Sequence, residues 1–385
     1  MNLFRRKFYE QTVVEVIRDS AFYIALITEL MMIIIDKSAF VNPIESYVWR
    51  FTFILCFVTV LCTRYKWKEW IFFAIFLLIG FVSYRATGRN EILRLVMLLM
   101  AMKEIDYKIT LKLTFWVLTG GSVLIMIFAF TGMLGTISYY ADYGRRGYET
   151  RYSFGMGHPN AFHCMFFSLM ILGICVWFDK IRWWHLLIFL GADALVYYFT
   201  GSRTGFLVTA FALLVAFCFV VFKRARRHLW VYILCDIIIV LVFAFSIYAA
   251  IVQSNTPLTY LFDMATNRRI HGAVEQVNAG IGYWTLFGKS AYTEFFDMGI
   301  IRLFYWFGWA GGLLYLGAML YLIRKARKEQ EYGLALMTVT FTVYTLAEAH
   351  FISDYLLRNY LWLYMGGMLF IKHTQKKLAA EKGKA

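Results

Sequence analysis

Proline is nearly absent: only Pro43, Pro159 and Pro257 occur in 385 residues. Two sit in polar loops and Pro159 opens an apolar run. Charge is scarce as well. Charged residues make up 16% of the chain, against about 25% in a soluble protein. Cysteine offers little chemistry. Cys56, Cys62, Cys164, Cys175, Cys218 and Cys235 all lie in apolar runs, none forms Cys-x-x-Cys, and none stands in a polar loop. They read as small buried hydrophobes rather than disulfides or metal ligands. No internal repeat, low-complexity segment or soluble domain is found. A P-loop, a His-Glu-x-x-His pair and a nucleophile elbow are all missing, which removes support for ATP-driven transport and zinc proteolysis. A cleavable signal is not expected either. Arg5, Arg6 and Lys7 precede a polar stretch, and no small-residue cleavage site follows the first apolar run.

What remains is apolar. Hydrophobic residues make up 61% of the chain and mean hydropathy is +0.61. They fall in runs near the ~20 residues a helix needs to cross a bilayer. A transmembrane barrel would show short alternating segments instead. The expected fold is an all-α polytopic membrane protein, a single integral domain over residues 1–385. Twelve spans are predicted, at 20–35, 47–62, 70–84, 91–102, 112–134, 159–178, 183–200, 204–222, 229–252, 300–323, 332–349 and 355–371. The span at 91–102 is short, carries Arg94, and reads as broken or tilted.

Basic loops set the expected orientation. Arg64 to Lys68, Lys103 to Lys112, Asp179 to Arg182, Lys223 to Arg227, Arg324 to Lys328 and the tail from Lys372 fall on one face with the N-terminus. That face is expected to be cytoplasmic, with both termini inside. Loops 36–46, 85–90, 135–158, 201–203, 253–299 and 350–354 then lie outside. The longest, 253–299, is the only long polar interval and is rich in aromatics. A loop of that length with apolar surface of its own is usually functional.

Lysine and arginine divide unequally between the faces. Of 17 lysines only Lys37 and Lys289 fall on the outer side. Of 22 arginines twelve do: Arg50, Arg85, Arg89, Arg94, Arg145, Arg146, Arg151, Arg203, Arg268, Arg269, Arg302 and Arg358. Guanidinium is planar, always charged and forked to fit phosphate oxygens. An outward-facing phosphate or pyrophosphate site is therefore expected. Part of the set should instead meet lipid headgroups or pair with Glu91, Asp142, Glu149 and Asp354. The net charge of +15 is divided between this set and the cytoplasmic loops, and nucleic acid is not an expected partner.

Four motifs could carry chemistry. In Arg151-Tyr-Ser-Phe-Gly155-Met-Gly157-His158-Pro159-Asn160, Pro159 suits a first helical turn, and the helix start favours an anion. The plainer reading makes His158 a cap; His163, further along, reads as a partner inside the bundle. In Thr200-Gly201-Ser202-Arg203-Thr204-Gly205 a tight turn fixes an arginine between hydroxyls and glycines. A snorkelling arginine is the alternative. Asn267-Arg268-Arg269-Ile270-His271 combines cations with a residue titrating near neutrality, or is a solvated face. Glu348-Ala-His350-Phe-Ile-Ser-Asp354, followed by Arg358, joins the last two spans. Glu348 at the end of an apolar run is a functional candidate by default, as are, more weakly, Glu29 and Asp193. No Asp-x-Asp or Glu-x-Asp occupies an outer loop, and Glu104-Ile-Asp106 maps inside, so no divalent-metal site and no cofactor are expected.

The order of these features resembles the O-antigen polymerase and ligase family, that is, Wzy-type polysaccharide polymerases and their ligase relatives. The resemblance runs over roughly residues 135–365. It rests on the Gly155–Asn160 helix start, the Gly201–Gly205 turn and the long loop ending in Leu286-Phe287-Gly288 and Glu294 to Asp297. Gly308-Trp-Ala-Gly-Gly312 then opens a late helix. It implies a GT-C-like glycosyltransferase of the bacterial cytoplasmic membrane, metal-independent, that uses an undecaprenyl-pyrophosphate-linked oligosaccharide at the outer face. Membrane lipid, a flippase and a chain-length regulator of the same pathway would be its partners. Arg203 with Arg151, Arg268 or Arg269 would hold the pyrophosphate, with Asn160 and Arg358 beside them. His271 and His350 are the candidate bases, the ligase branch favouring a histidine in the long loop. His158 would position substrate, and Glu348 is the acidic alternative. Polymerase, ligase and lipid-linked oligosaccharide flippase stay open at this point.

Overall fold

The computed structural model describes residues 12–142 and 147–371. The basic N-terminal group Arg5 to Lys7, Arg145, Arg146 and the tail from Lys372 lie outside the described residues. Within them the chain is nearly all helical. The helices are α1 Val13–Lys37, α2 Glu45–Leu61, α3 Trp67–Thr87, α4 Glu91–Ala101, α5 Tyr107–Phe130, α6 Pro159–Val176, α7 Trp183–Thr200, α8 Arg203–Val221, α9 Leu229–Val252, α10 Pro257–Ala265, α11 Gly299–Glu329, α12 Tyr332–Ala347 and α13 Leu361–Leu369. A helix stands at each predicted span. Six (α3, α5, α6, α8, α9 and α11) are long and apolar enough to cross a membrane by length and composition. Their outward faces carry large apolar side chains such as Leu78, Trp116 and Leu241, as a bilayer requires.

The expectation of an all-α chain needs one correction. Loop 135–158 holds an antiparallel hairpin, β1 Ser138–Asp142 with β2 Tyr148–Tyr152, registered Tyr139 opposite Arg151. Alternating Tyr, Thr and charged residues suit a half-buried ribbon. The last predicted span also shortens: residues 356–358 form a 3-10 turn, and the α-helix begins only at Leu361.

Helix α12 is the hub, packed by α6, α8, α9, α11 and α13. It is buried around nearly its whole circumference. Its threonines tolerate this because each hydroxyl bonds back one turn: Thr338 to the Leu334 carbonyl at 2.7 Å, Thr342 to Thr338 at 2.8 Å and Thr345 to Phe341 at 2.6 Å. Polar side chains satisfied within their own helix can be buried at low cost.

Helix α11 is broken at Gly308 (φ 66°, ψ −169°). That region of backbone space is open essentially to glycine alone. The break admits the long loop: the Trp309 and Ala310 N–H groups, released from the helix, donate to the Thr285 and Leu286 carbonyls at 2.9 Å each. Trp284 then stacks on Phe304 at 4.5 Å, and Tyr292 on Tyr305 at 4.2 Å. The aromatics of the loop thus fasten it onto α11. A β-carbon at Gly308 would lie 2.4 Å from the Thr285 oxygen, whereas one at Gly317 meets nothing within 4 Å. Gly308→Ala is expected to cost about 3 kcal/mol or more, seen as a lowered melting temperature of the solubilised protein. Gly317→Ala should leave that temperature unchanged or slightly raised.

Candidate functional site

The helix ends predicted to share one face converge on a single polar cavity of about 600 Å³. Loops 36–46, 135–158, 201–203, 253–299 and 350–354 all contribute a residue to it, along with neighbouring helix ends. Of the ten predicted site residues, Arg151, His158, Asn160, Arg203, Arg269, Glu348, His350 and Arg358 line this cavity. Six cations (these four arginines with Lys37 and Arg302) line it with three carboxylates (Asp142, Asp297 and Glu348); with Glu149 and Asp36, which pair with Arg151 and Arg358 from outside the lining, six cations stand against five carboxylates.

Each side chain is placed by its local backbone. His158 caps α6: its Nδ1 accepts the Asn160 N–H at 3.1 Å, and Pro159 supplies a first-turn residue with no N–H to satisfy. The ring therefore serves as a cap and as a cavity wall at once. Though it reaches solvent, the surrounding protein, then Arg269 and Arg151, push its pKa below the ordinary value. Arg151 is 5% exposed, pairs with Glu149, and lies over Gly201, where a β-carbon would come within 2.8 Å of its Nε. Gly201 itself ends α7 in the left-handed conformation, the usual glycine stop. Two residues on, Arg203 occupies the first position of α8, exposed toward the cavity. Among the described residues no carboxylate is within ion-pair distance of it.

Adjacent arginines in the long loop separate. Asn267 and Arg268 both take positive φ (62° and 59°), uncommon for such residues. Asp263 holds this turn, accepting the Ile270 and His271 N–H groups at 2.6 and 3.1 Å. As a result Arg269 enters the cavity, where it pairs with Asp297 and with Glu348 at 2.7 Å. Arg268 faces solvent. His271 also stays outside the cavity, its Nδ1 2.5 Å from Glu275 one turn on. The placement of Arg268 and His271 thus differs from the sequence reading, because a two-residue left-handed turn reverses the chain between neighbours.

The loop 348–360 forms the opposite wall. Glu348 is buried against Arg269, its ion-pair partner. His350 is 8% exposed, and among the described residues its Nε2 has no hydrogen-bond partner. Burial, then Lys37 and Arg358, hold its pKa well below the ordinary value. Arg358 pairs with Asp36 and donates to Ser353 Oγ at 2.9 Å.

Lys37, Arg302 and Cys164 are among the lining residues not singled out for the site from sequence. Lys37 had a signal, as one of only two lysines expected on the outer side. Arg302 belonged to the outer arginine set but sits inside a helix, where periodicity gives no hint that it is aimed at a cavity. It donates to the Ile352 carbonyl at 3.1 Å, stacks over Trp306, and so ties α11 to the 348–360 wall. Other arginines are structural. Arg94 pairs with both oxygens of Glu29, and Arg89 with Asp354 at 2.9 Å and Glu91 at 3.3 Å. On the other side of the same wall, Leu303, Ile352 and Leu356 line a second, apolar cavity of about 150 Å³ with Ile92, Leu314 and Met365.

Together these features define a class: a nearly all-helical membrane protein with a cationic cavity gathered from loops at one end of its bundle. Compared with family models, curated proteins and solved structures, the chain matches none.

Proposed function

We propose that this chain is a polysaccharide polymerase of the bacterial cytoplasmic membrane, joining undecaprenyl-pyrophosphate-linked repeat units at the outer face. It crosses twelve times in a GT-C-like arrangement with both termini in the cytoplasm. Its partners are the lipid-linked oligosaccharide, membrane lipid, and the flippase and chain-length regulator of the same pathway. One observation carries the reading: side chains chosen from four separate stretches as pyrophosphate ligands and bases come together in one cavity with surplus positive charge. The apolar cavity sharing the 348–360 wall gives room beside it for a lipid chain.

The reaction needs no more than this cavity offers. An acceptor sugar hydroxyl attacks the anomeric carbon of the donor. The new C–O bond forms as the bond to pyrophosphate breaks, and lipid pyrophosphate leaves with the electron pair. Charge grows on the leaving oxygens, so arginines aimed there stabilise the transition state more than the ground state. His350 Nε2, neutral and without a partner, takes the hydroxyl proton. Arg269, held by Asp297 and Glu348, is a cation that incoming phosphate oxygens compete for.

The test is a glycan profile of cells lacking the protein, restored with wild type. A polymerase gives single repeat units on lipid and no long chains until wild type is returned. Long chains that persist on lipid without reaching a final acceptor would instead mark a ligase. An unchanged profile would remove glycan transfer altogether.

A further inference from the structure

One buried pair remains outside this chemistry. His163 on α6 and Asp193 on α7 are both 0% exposed, with Nε2 2.9 Å from Oδ1. The other ring nitrogen, Nδ1, is 3.3 Å from Thr200 Oγ1 at the end of α7. Thr200 Oγ1 donates its own hydrogen to the Val196 carbonyl at 2.8 Å and accepts the Ser202 N–H at 3.3 Å. Its hydrogen being used, Thr200 meets the ring as an acceptor, so Nδ1 carries a proton. One further proton then lies between Nε2 and Asp193, and the pair as a whole is neutral. A neutral, mutually bonded pair is the form in which two ionisable groups survive full burial in a membrane bundle.

What the pair holds is the Thr200–Gly205 turn. The imidazole bonds Thr200 at its start. At its end, the ring lies against Gly205, where a β-carbon would come within 2.8 Å of Cγ and Cδ2. Between those two points stand Ser202, Arg203 and Thr204, all lining the cavity. The outer side of the turn is closed by Arg151 over Gly201. The imidazole is thus the floor on which Arg203 stands, and Asp193 fixes that ring's orientation and protonation.

We propose that His163 and Asp193 are positioning residues, a buried pair that sets the Thr200–Gly205 turn and thereby aims Arg203 at a diphosphate in the cavity. This rests on the anion-binding reading of the cavity. Asp193→Asn keeps shape and volume but not the second proton site. An amide turned to donate its Nδ2–H to Nε2 leaves the ring neutral with both partners, so a charge-assisted bond becomes a weaker neutral one and the turn loosens.

The experiment uses the full-length protein in nanodiscs with inorganic pyrophosphate as the probe. In an otherwise wild-type chain Asp193→Asn is expected to weaken pyrophosphate binding about tenfold, the range of measured couplings between residues in one network. In an Arg203→Ala background the same change should cost less than about twofold, since its effect travels through Arg203. His163→Gln should behave alike, and the double variant should be no worse than either single one. Hydrogen exchange of the 200–205 amides supplies a readout independent of any ligand, and should speed up in Asp193→Asn while the melting temperature holds. Unchanged exchange, or an equal binding loss with and without Arg203, would overturn the positioning role. Failure of wild type to bind pyrophosphate, with exchange in the turn still accelerated by Asp193→Asn, would sink the anion reading and leave the pair as a purely structural lock, ending this proposal as well.

Discussion

Arg203→Ala is expected to lower chain elongation by roughly 10²–10³-fold, the cost of removing one preorganised donor at a developing oxyanion, while folding stays intact. The argument is comparative. Arg151, Arg269 and Arg358 each hold a carboxylate in the structure. Their truncation would break these ion pairs, and for Arg269 would leave the buried Glu348 unpaired, so a loss of activity would be mixed with a loss of stability. Arg203 has no such duty. It is exposed to the cavity from the first turn of α8, with the turn beneath it fixed by glycines and hydroxyls. Its guanidinium is available without breaking an ion pair, and its removal orphans nothing. Arg203→Lys keeps the charge but not the planar fork, and an intermediate loss of about tenfold follows. Turnover of purified lipid-linked repeat units and the length of the glycan ladder read the effect. A melting curve confirms the fold. Wild-type turnover in Arg203→Ala would remove the central ligand from the mechanism.

Much of the bundle was legible because a bilayer writes itself into sequence as long apolar runs. Each predicted span meets a helix, and the tight turn at 200–205 joins α7 to α8 where the glycines place it. Three things were not legible, for different physical reasons. The hairpin at 138–152 is too short and too polar for its period to stand out beside twelve apolar runs. The kink at Gly308 depends on a partner, the carbonyls of Thr285 and Leu286, that no local pattern in α11 announces. The separation of Arg268 from Arg269 depends on two left-handed residues, neither a glycine, held by a buried aspartate several positions earlier. Sequence proximity therefore suggested Arg268, Arg269 and His271 as one cluster, where backbone geometry admits only Arg269. The excess of arginine over lysine in one set of loops, by contrast, was readable from the sequence. What composition left open was the division of that set into cavity arginines and arginines neutralised elsewhere, such as Arg94 on Glu29.

The same geometry moves the candidate base from the long loop to the 348–360 wall, and this produces the second large effect. His350→Gln is expected to reduce kcat by roughly 10²–10⁴-fold, the usual contribution of a general base. His271→Gln should cost far less, because His271 is engaged with Glu275 outside the cavity. The pH dependence distinguishes a base from a mere wall residue. The form of His350 that accepts a proton is neutral imidazole. Burial, then the Lys37 and Arg358 cations, hold its pKa well below the ordinary value near 6.5. The neutral form therefore persists as pH falls below 6.5 and is lost only when pH passes the depressed pKa. In wild type kcat/KM should be level through neutrality, with its acid limb well under the ordinary histidine range. Lys37→Met removes one of the cations that disfavour imidazolium, so the limb should move to higher pH without disappearing. In His350→Gln the limb should vanish along with most of the rate. An acid limb that survives in His350→Gln, or a larger loss in His271→Gln, would return the base to the long loop and would mean that Arg269 and His271 come together only when substrate is bound.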